Sequence, residues 1–471
     1  MRHQELYIGG RWTAGASRRE VRDRWTGEPL GTVAIAGPDD PRRAVDAAAE
    51  ALRLGFPTHR RGEVLMRAAQ LLRERAEELA ALITAETGKP ITAARTEVSR
   101  AALTLSFAGE ESHRLPAAAV PLDAVEAGAG MLALTVAEPV GIVAAITPFN
   151  FPLNLVAHKI APALAAGCPV VLKPAEKTSL VAGMLVEVLA EAGLPAGYLN
   201  LVTGEPVDIV AAWQADPRVE ILTFTGSSRV GWMLKGQSPH KTHILELGSN
   251  TAMVVAADAD LERAADAVVQ AAFTNSGQAC ISLQRVYVAS EVADRFARMV
   301  VGLTARVRTG DPRDPSTVVG PLIDDNAVQR VHQWVEEAVA AGAQLLTGGT
   351  VDGSIVTPAV LRDAPADASV VCEEVFGPVV TLLTVADLDE AIRLANDSRF
   401  GLNTAIFTRD LPTALRYARE GEAGSVLVNV PPSFRAEHMP YGGVKESGQG
   451  REGVPYAVAE FTRQKLVILS V

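Results

Sequence analysis

Short apolar runs alternate with alanine-rich helical stretches from about residue 140 onward, and this alternation constrains the fold more than any other feature. The runs have the length of buried strands and cover 141–146, 169–172, 198–202 and 220–224. The stretches between them have helical composition and cover 158–166, 179–192 and 207–213. Strands buried on both faces and joined through helices form parallel sheets. The sequence therefore predicts an α/β fold with a parallel sheet.

The same alternation starts again after Gly248. Expected strands at 252–255 and 284–288 alternate with expected helices at 260–275 and 291–307. A chain of 471 residues is long enough for two or three domains. Two α/β domains in series, with a boundary near residue 247, fit this pattern. Helical periodicity also covers 41–54 and 63–87, where Gly88 ends the second run.

Two segments do not follow the alternation. Residues 115–134 contain proline and glycine and have no clear period, and residues 431–450 are rich in the same two residue types. Residues 461–469 have the pattern of an edge strand.

Composition and charge exclude several classes of function. The net charge of −11 disfavours binding to a phosphate backbone, so we expect no nucleic-acid partner. The apolar runs are too short to cross a bilayer, and the N-terminus lacks a signal-peptide core. The three cysteines are far apart and have no CxxC spacing, which predicts neither a disulfide framework nor a metal site. We expect a cytoplasmic protein that does not bind membranes.

Cys280 is a candidate nucleophile in the small-residue loop Asn275-Ser-Gly-Gln-Ala-Cys280. A cysteine nucleophile needs a lowered pKa or an adjacent base, because the free thiol is mostly protonated at neutral pH. The alternative is an inert core cysteine. Cys168, which precedes an expected buried strand, has the pattern of a core residue, while the position of Cys372 suggests neither role.

Two polar residues, Glu246 and Asn150, are further candidates for a catalytic role. Glu246 lies in an apolar run at the expected domain junction, where burial would raise its pKa and favour a general-base role. The alternative is a solvent-facing strand residue. Asn150, in Pro148-Phe-Asn-Phe-Pro152, follows a buried strand at the edge where ligands bind in such sheets. A turn or capping role is its alternative.

Two loops are suited to a dinucleotide. The segment from Thr223 to Gly231 follows a buried strand and opens a helix, which offers backbone N–H groups to phosphate. It lacks the GxGxxG pattern and is a weak motif by itself. The segment Val171-Leu-Lys-Pro-Ala-Glu176 ends a strand with a cation and then a carboxylate. Such a carboxylate can accept hydrogen bonds from ribose hydroxyls and would repel a 2′-phosphate.

Taken together, these segments resemble the aldehyde dehydrogenase superfamily over nearly the whole chain. The resemblance runs from Leu6-Tyr-Ile-Gly-Gly-Arg-Trp12 to Pro440-Tyr-Gly-Gly-Val-Lys-Glu-Ser-Gly-Gln-Gly-Arg-Glu452, and it includes Glu86-Thr-Gly-Lys-Pro90 and Glu373-Glu-Val-Phe-Gly-Pro378. It implies an aldehyde dehydrogenase-like fold with two parallel α/β domains and a small β oligomerisation element. The implied NAD(P)-binding domain covers 1–114 and 141–246, the catalytic domain 247–430, and the oligomerisation element 115–140 and 431–471. A homodimer or homotetramer would form through edge strands.

The resemblance also assigns catalytic roles. Cys280 would attack the aldehyde, and the Asn150 side chain and the Cys280 backbone N–H would stabilise the oxyanion. Hydride would pass to the nicotinamide, and Glu246 would activate the water that hydrolyses the resulting thioester. NAD is expected as cofactor because of Glu176, with NADP as the alternative. The implied cofactor-binding residues are Thr147, Pro148, Lys173, Glu176, Gly226, Ser227, Leu247, Glu374 and Phe376.

The segments Gly277-Gln-Ala-Cys-Ile-Ser-Leu-Gln-Arg285 and Ser433-Phe-Arg-Ala-Glu-His-Met-Pro440 resemble the lactaldehyde, phosphonoaldehyde and succinate-semialdehyde branches, which implies a short polar or anionic aldehyde as substrate. His158 and Arg435 would converge on the anion, with Ala279 and Ile281 beside the nucleophile. The alternative is that His158 or Arg435 faces solvent or pairs with a carboxylate. Relatives acting on phosphorylated glyceraldehyde typically carry arginine in place of Ala279.

Two other functions compete with this prediction. One is an acylating, coenzyme A-dependent enzyme, against which Glu246 counts because such relatives often lack this base. The other is a catalytically silent structural or binding relative, against which the presence of Cys280, Glu246 and Asn150 counts.

Overall fold

The first series of apolar runs forms an eight-stranded sheet in a computed structural model that describes residues 2–470. Its five central strands are parallel, and the other three are joined to the sheet through antiparallel pairings. Every residue of the two strands at its middle, Ile142–Ile146 and Val170–Lys173, is buried, which explains their unbroken apolar character. In spatial order the strands are Gly448–Gln449, Thr242–Glu246, Val219–Thr225, Ile142–Ile146, Val170–Lys173, Leu199–Leu201, Leu6–Ile8 and Arg11–Thr13.

This sheet has a topological switch point between Ile142–Ile146 and Val219–Thr225. From the first of these strands the chain builds outward through Val170–Lys173 and Leu199–Leu201, and then returns to add Val219–Thr225 on the other side. Where strand order reverses in this way, the connections diverge and leave a crevice at the carboxyl ends of the strands. Thr147, Asn150 and Gly226 all follow these carboxyl ends.

The second series forms a seven-stranded sheet that is parallel except at one edge. Its spatial order is Gln344–Thr347, Ala359–Arg362, Val379–Val385, Leu283–Ala289, Thr251–Val255, Asn403–Phe407 and Ser425–Val428. The prediction of an α/β fold with two parallel sheets is thus confirmed. A smaller sheet near the N-terminus contains Arg2–Gln4, Pro29–Ile35 and Ser17–Arg22, and one two-stranded sheet contains Val351–Asp352 and Ile355–Val356.

Helices flank the sheets, and the predicted helical run at 63–87 is divided in two at Arg75. This residue has φ −104° and ψ 20°, which ends one helix and begins the next. The helix Ile91–Glu111 packs against Thr58–Glu74 and Asn154–Ala166. The other α-helices are Asp40–Leu54, Ala76–Thr87, Ser179–Glu191, Pro206–Ala215, Ser228–Gln237, Leu261–Phe273, Ala293–Thr304, Asp325–Ala340, Ser369–Cys372, Leu388–Asn396, Leu411–Glu420 and Val454–Glu460. Within residues 2–470, none of the helices combines the length and apolarity needed to cross a bilayer.

The irregular segment after residue 115 contributes to a separate three-stranded sheet, which we call the arm sheet. It contains Ala118–Val120, Met131–Pro139 and Thr462–Ser470, and the last two strands pair along their full length. Between them in sequence, Gly448–Gln449 joins the eight-stranded sheet and Val444–Lys445 pairs with Phe400–Gly401. The C-terminal segment therefore joins the eight-stranded sheet and forms a separate two-stranded sheet with Phe400–Gly401 before it reaches the arm sheet, and the division into domains stays a prediction.

Candidate active site

The loop that carries Cys280 is held in an unusual backbone conformation. Asn275 and Ser276 have φ values of 54° and 56°, in the left-handed region that L-residues seldom adopt. Gly277 follows with φ 71°, and a Cβ on it would lie 2.0 Å from the carbonyl oxygen of Gly377. The Asn275 amide donates to the carbonyls of Asn150 at 3.3 Å and Gln278 at 3.1 Å. These contacts explain why small and polar residues precede Cys280, and they fix the loop in place.

Asn150 is tied directly to the same loop. It follows the strand Ile142–Ile146, is buried, and donates from Nδ2 to the carbonyl of Gln278 at 3.0 Å. Because Gln278 is two residues before Cys280, this bond keeps the Asn150 amide beside the loop of the candidate nucleophile. The second Nδ2 hydrogen remains for another acceptor.

Cys280 is half-buried and contacts a tyrosine. Its Sγ lies 3.1 Å from the hydroxyl oxygen of Tyr441. Burial raises the pKa of the Cys280 thiol to about 11, while the Tyr441 hydrogen bond and the charge of Arg435 act in the opposite direction. Residues that assist ionisation therefore matter for any chemistry at this sulfur.

Glu246 ends the strand Thr242–Glu246 and is 3% exposed. Neither of its carboxyl oxygens has a hydrogen-bond partner among the described residues. Burial raises the pKa of Glu246 well above its ordinary value, and the charge of Glu452 adds to this effect. A buried carboxyl group with unused oxygens and a raised pKa is suited to accept a proton from water near neutral pH.

A cavity of about 330 Å³ opens onto Cys280. The predicted substrate residues Ala279, Ile281 and Arg435 line it together with Tyr441. Arg100, on the helix Ile91–Glu111, also lines it. Further lining residues include Thr96, Asn154, Gln270, Thr274 and Ser433. The cavity lining thus combines one thiol and two guanidinium groups with the carboxylate of Glu97, which is paired with Lys89.

Arg435 is held from two sides. Its guanidinium donates to Glu452 Oε2 at 3.0 Å and lies 3.7 Å from the centre of the Tyr441 ring. Glu452 also accepts from Lys159 Nζ at 3.0 Å. Burial alone would raise the pKa of Glu452, but Lys159 and Arg435 lower it to about 2. Arg435 Nε, in contrast, is buried without a hydrogen-bond partner in the described part of the chain.

His158 is fully buried and, among the described residues, does not line the cavity. Its Nε2 lies 2.5 Å from Glu437 Oε2, and the other oxygen of Glu437 accepts from Arg100 Nε at 2.5 Å. Burial lowers the pKa of His158, with the charge of Arg435 acting in the same direction. A neutral His158 therefore orients the partner of Arg100 and does not itself face a ligand in the cavity. His158 thus follows the alternative of pairing with a carboxylate, and Arg435 combines such pairing with a place in the cavity wall.

The carboxyl edge of the eight-stranded sheet carries the predicted dinucleotide residues. Lys173 ends the strand Val170–Lys173 and is buried, with Nζ 3.2 Å from the carbonyl of Pro174. Glu176 is half-exposed and accepts from Arg19 at 2.6 Å. Three hydroxyls at this edge are buried without a partner in residues 2–470, namely those of Thr147, Thr225 and Ser228.

Glu374 lies near the junction of the two sheets. Its Oε1 accepts from the backbone N–H of Ser249 at 3.0 Å, and burial raises its pKa to about 7. A Cβ on Gly248 would lie 2.7 Å from Glu374 Oε2, so a side chain at position 248 would displace this carboxylate. Phe376 contacts Phe149 edge-on, with 5.8 Å between ring centres. Of the other predicted contacts, Leu247 is buried, Pro148 and Gly226 are half-buried and Ser227 is exposed.

Comparison with known proteins identifies the family of the chain. The profile described as "Aldehyde dehydrogenase family" matches residues 12–467. The chain belongs to the aldehyde dehydrogenase family. The predictions of the family and of an enzyme of this class are thereby confirmed.

Similar aldehyde dehydrogenases extend over the same length. A 3-sulfolactaldehyde dehydrogenase of Priestia aryabhattai is 43% identical over 466 residues, which cover 99% of this chain and 98% of the relative. Aldehyde dehydrogenase 21 from Physcomitrella patens, solved in complex with the reaction product succinate, has a TM-score of 0.96 and 36% identity, covering 100% and 98% of the two chains. The NADP-dependent glyceraldehyde-3-phosphate dehydrogenase from Bacillus halodurans C-125, complexed with NADP, has a TM-score of 0.97 and 33% identity, covering 100% of both.

Within this aldehyde dehydrogenase, sequence patterns did not point to Arg100, Tyr441, Glu437 or Glu452. Arg100 belongs to a helical run with ordinary surface composition, and only tertiary packing brings it to Cys280. The other three lie in the C-terminal loop region, where no local period indicates which side chains point inward.

Proposed function

We propose that this aldehyde dehydrogenase oxidises a short aldehyde carrying an anionic group to its carboxylic acid, with Cys280 as nucleophile and NAD as the preferred cofactor. The observation that carries the proposal is that Arg100 and Arg435 both line the cavity that opens onto Cys280. Guanidinium groups bind carboxylate, sulfonate and phosphate through paired hydrogen bonds. This revises the expected substrate contacts, since Arg100 takes the place of His158.

The charge balance around the cavity supports an anionic ligand. Arg100, Arg435, Lys159 and Lys89 contribute four cations, while Glu97, Glu437 and Glu452 contribute three carboxylates, the last two with lowered pKa values. One positive charge is in excess while His158 and Glu246 are neutral. The unpartnered Nε of Arg435 supplies a donor that a bound anion would satisfy.

In the proposed mechanism, attack of the Cys280 sulfur on the carbonyl carbon forms a C–S bond and moves an electron pair onto the carbonyl oxygen. The free Nδ2 hydrogen of Asn150 and the backbone N–H of Cys280 would donate to that oxygen. Hydrogen bonds from Asn275 and Asn150 to the Cys280 loop prepare this arrangement before substrate binds.

Glu246 is proposed as the base for the second half of the reaction. Its carboxylate would take a proton from the water that attacks the thioester carbon, which releases the acid and the Cys280 thiol. The absence of any hydrogen bond to its carboxyl oxygens within the described residues leaves both free for that water.

The edge of the eight-stranded sheet is suited to a dinucleotide. Lys173 and Glu176 would hold the adenosine ribose, Gly226 and Ser227 the pyrophosphate, and Glu374 the nicotinamide ribose. The unpartnered hydroxyls of Thr147, Thr225 and Ser228 are donors that such a ligand would use. When bound, NAD(P) supplies the hydride acceptor. Glu176 favours NAD because its carboxylate would repel a 2′-phosphate, and NADP remains the alternative.

The names of similar proteins support the same substrate class. One relative is named for a sulfonated aldehyde, one was solved with succinate, and one is named for a phosphorylated aldehyde. Ala279 does not add a third arginine to the cavity, so a sulfonate or carboxylate is favoured over a phosphate.

Steady-state kinetics test the proposal directly. We expect 3-sulfolactaldehyde or succinate semialdehyde to exceed propanal and benzaldehyde in kcat/KM by at least about tenfold. Each assay is run with NAD and with NADP, and with and without coenzyme A, and Cys280→Ala should abolish turnover. Better turnover of benzaldehyde, a requirement for coenzyme A, or activity in Cys280→Ala would overturn it.

We also propose a homo-oligomer assembled through the arm sheet. Its two long strands leave large apolar side chains about half exposed: Met131 at 43%, Leu132, Leu466 and Ile468 at 50% and Leu469 at 49%. Such a surface is typical of a protein interface. A single-subunit mass in light scattering would refute this.

A further inference from the structure

Tyr441 contacts the sulfur of Cys280 and has no role in the mechanism described so far. Its hydroxyl oxygen lies 3.1 Å from Cys280 Sγ, and its side chain is almost completely buried. Ile281 and Leu402 pack with the ring in one small apolar cluster. The ring therefore has little freedom to turn its hydroxyl away from the sulfur.

The backbone of Tyr441 is fixed as firmly as its ring. Its N–H donates to the carbonyl of Glu452 at 3.0 Å, and the N–H of Glu452 donates back at 2.7 Å. Glu452 also holds the guanidinium of Arg435, whose central carbon lies 3.7 Å from the centre of the tyrosine ring. Cation, ring and sulfur thus form one short chain of contacts.

The position of Arg435 over the tyrosine ring affects whether the Tyr441 hydroxyl acts as hydrogen-bond donor or acceptor. A cation over the face of an aromatic ring is attracted to its π electrons and withdraws electron density from the ring. A phenol whose ring loses electron density becomes a stronger hydrogen-bond donor and a weaker acceptor. In the contact with Cys280, this favours the tyrosine hydroxyl as donor and the sulfur as acceptor.

We propose that Tyr441 is a further catalytic residue, whose hydroxyl donates a hydrogen bond to Cys280 Sγ and stabilises the thiolate that attacks the aldehyde. This rests on the proposed role of Cys280 as nucleophile. The thiol proton leaves to solvent when the thiolate forms, and Tyr441 keeps its own proton throughout. Burial holds the pKa of Tyr441 well above its ordinary value, which keeps the hydroxyl protonated.

Besides the hydrogen bond from Tyr441, three charged side chains affect the pKa of the Cys280 thiol. Arg435, from the loop at 431–440, favours the thiolate, whereas Glu246, at the end of the strand Thr242–Glu246, and Glu374, which follows the helix Ser369–Cys372, oppose it when ionised. Any pH profile of Cys280 includes these neighbours. A test must therefore remove the tyrosine hydroxyl without changing them.

The test is the pH dependence of Cys280 alkylation in Tyr441→Phe. Iodoacetamide forms an S–C bond with a thiolate and releases iodide, so its rate reports the thiolate fraction without any aldehyde. The measurement is made in a Cys372→Ser background, because Cys372 is exposed and would also react, while Cys168 is buried. Loss of one hydrogen bond to a charged sulfur should lower the alkylation rate at pH 7 about tenfold and raise the midpoint by roughly one pH unit.

Controls separate this effect from general damage. Tyr417→Phe removes another buried hydroxyl, one that lies near Thr404 and not near Cys280, and should leave the profile unchanged. The shift should persist in a Glu246→Gln background, which removes the titration of Glu246. Replacing Tyr441 with 3-fluorotyrosine, a stronger donor, should move the midpoint downward.

An unchanged midpoint in Tyr441→Phe, with the fold verified by circular dichroism, would overturn the proposal. A lowered midpoint would overturn it too, because it would mean that the thiol donates to the tyrosine. Failure of Cys280 as the nucleophile would appear separately, as aldehyde turnover in Cys280→Ala.

Discussion

Replacing Arg100 with glutamine should reduce the preference for anionic aldehydes while leaving the chemical step intact. The guanidinium lines the cavity, but it is 25% exposed, compared with 5% for the Arg435 side chain. Its partner Glu437 keeps the hydrogen bond from His158 in the variant, so no buried carboxylate is left without a donor. Arg100 can therefore be removed with less structural disturbance than Arg435.

The magnitude follows from charge and exposure. Two unit charges about 5 Å apart interact with ~3 kcal/mol at an effective dielectric constant of ~20. Partial exposure and salt screening reduce this to about 1.5 kcal/mol, which corresponds to roughly a tenfold change. The effect should appear in KM for an anionic substrate, with kcat changed by less than about twofold, because the charge is needed for binding before and during the reaction.

The assay compares kcat/KM for 3-sulfolactaldehyde and for propanal in the parent and in Arg100→Gln. Arg95→Gln is the matched control, since Arg95 lies on the same helix, pairs with Glu77 at the surface and is not in the described cavity lining. Only Arg100→Gln should change the ratio between the two substrates. Equal losses for both aldehydes, or the same change in Arg95→Gln, would refute an electrostatic role for Arg100.

Three further outcomes are expected. Glu246→Gln should keep a stoichiometric burst of reduced cofactor but lose about 10²–10³-fold in steady-state turnover. In the parent enzyme, kcat should rise with pH, and the midpoint of this rise should lie above the ordinary pKa of a carboxyl group. The reason is that the base acts in its deprotonated form and that burial raises its pKa. A loss of the burst itself would contradict the assignment. Glu176→Gln should lower the ratio of kcat/KM with NAD to that with NADP roughly tenfold, because a charge that repels the 2′-phosphate is removed, and an unchanged ratio would argue against it. Glu97→Gln should destabilise the fold by about 3–5 kcal/mol, because Lys89 and Glu97 form a completely buried ion pair. A melting temperature within error of the parent would refute this. Glu77→Gln, at an exposed position, serves as the control.

Much of the fold could be predicted because each central strand is marked in the sequence by its own short apolar run. The strands at the centre of each sheet are buried on both faces, so their apolar runs stand out from the helices between them. In the arm sheet, Ala118–Val120 is only three residues long, and Met131–Pro139 is mostly exposed or half-buried, so residues 115–134 show no clear period. The break at Arg75 was hidden because helical composition continues on both sides of it.

Some residues of the site could be predicted from short sequence motifs, whereas others reach it only through tertiary packing. Cys280, Glu246 and Asn150 lie within short motifs at strand ends, and such motifs are visible in one sequence. Arg100 reaches the cavity only because its helix packs on Asn154–Ala166. His158 lies on the helix Asn154–Ala166, but its side chain points toward Glu437. The family resemblance implies a position for His158 near the substrate, but it does not specify which way the side chain points.

The two arginines of the cavity differ in how freely they could change during evolution or engineering. Arg435 contacts the ring of Tyr441, beside Cys280, and the carboxylate of Glu452, so we expect a substitution there to alter substrate preference and thiol reactivity together. Arg100 shares its carboxylate with a histidine that can remain bound to it. A library aimed at new aldehydes should therefore vary position 100 first and keep Arg435 constant, because only the former allows selectivity to change without loss of turnover.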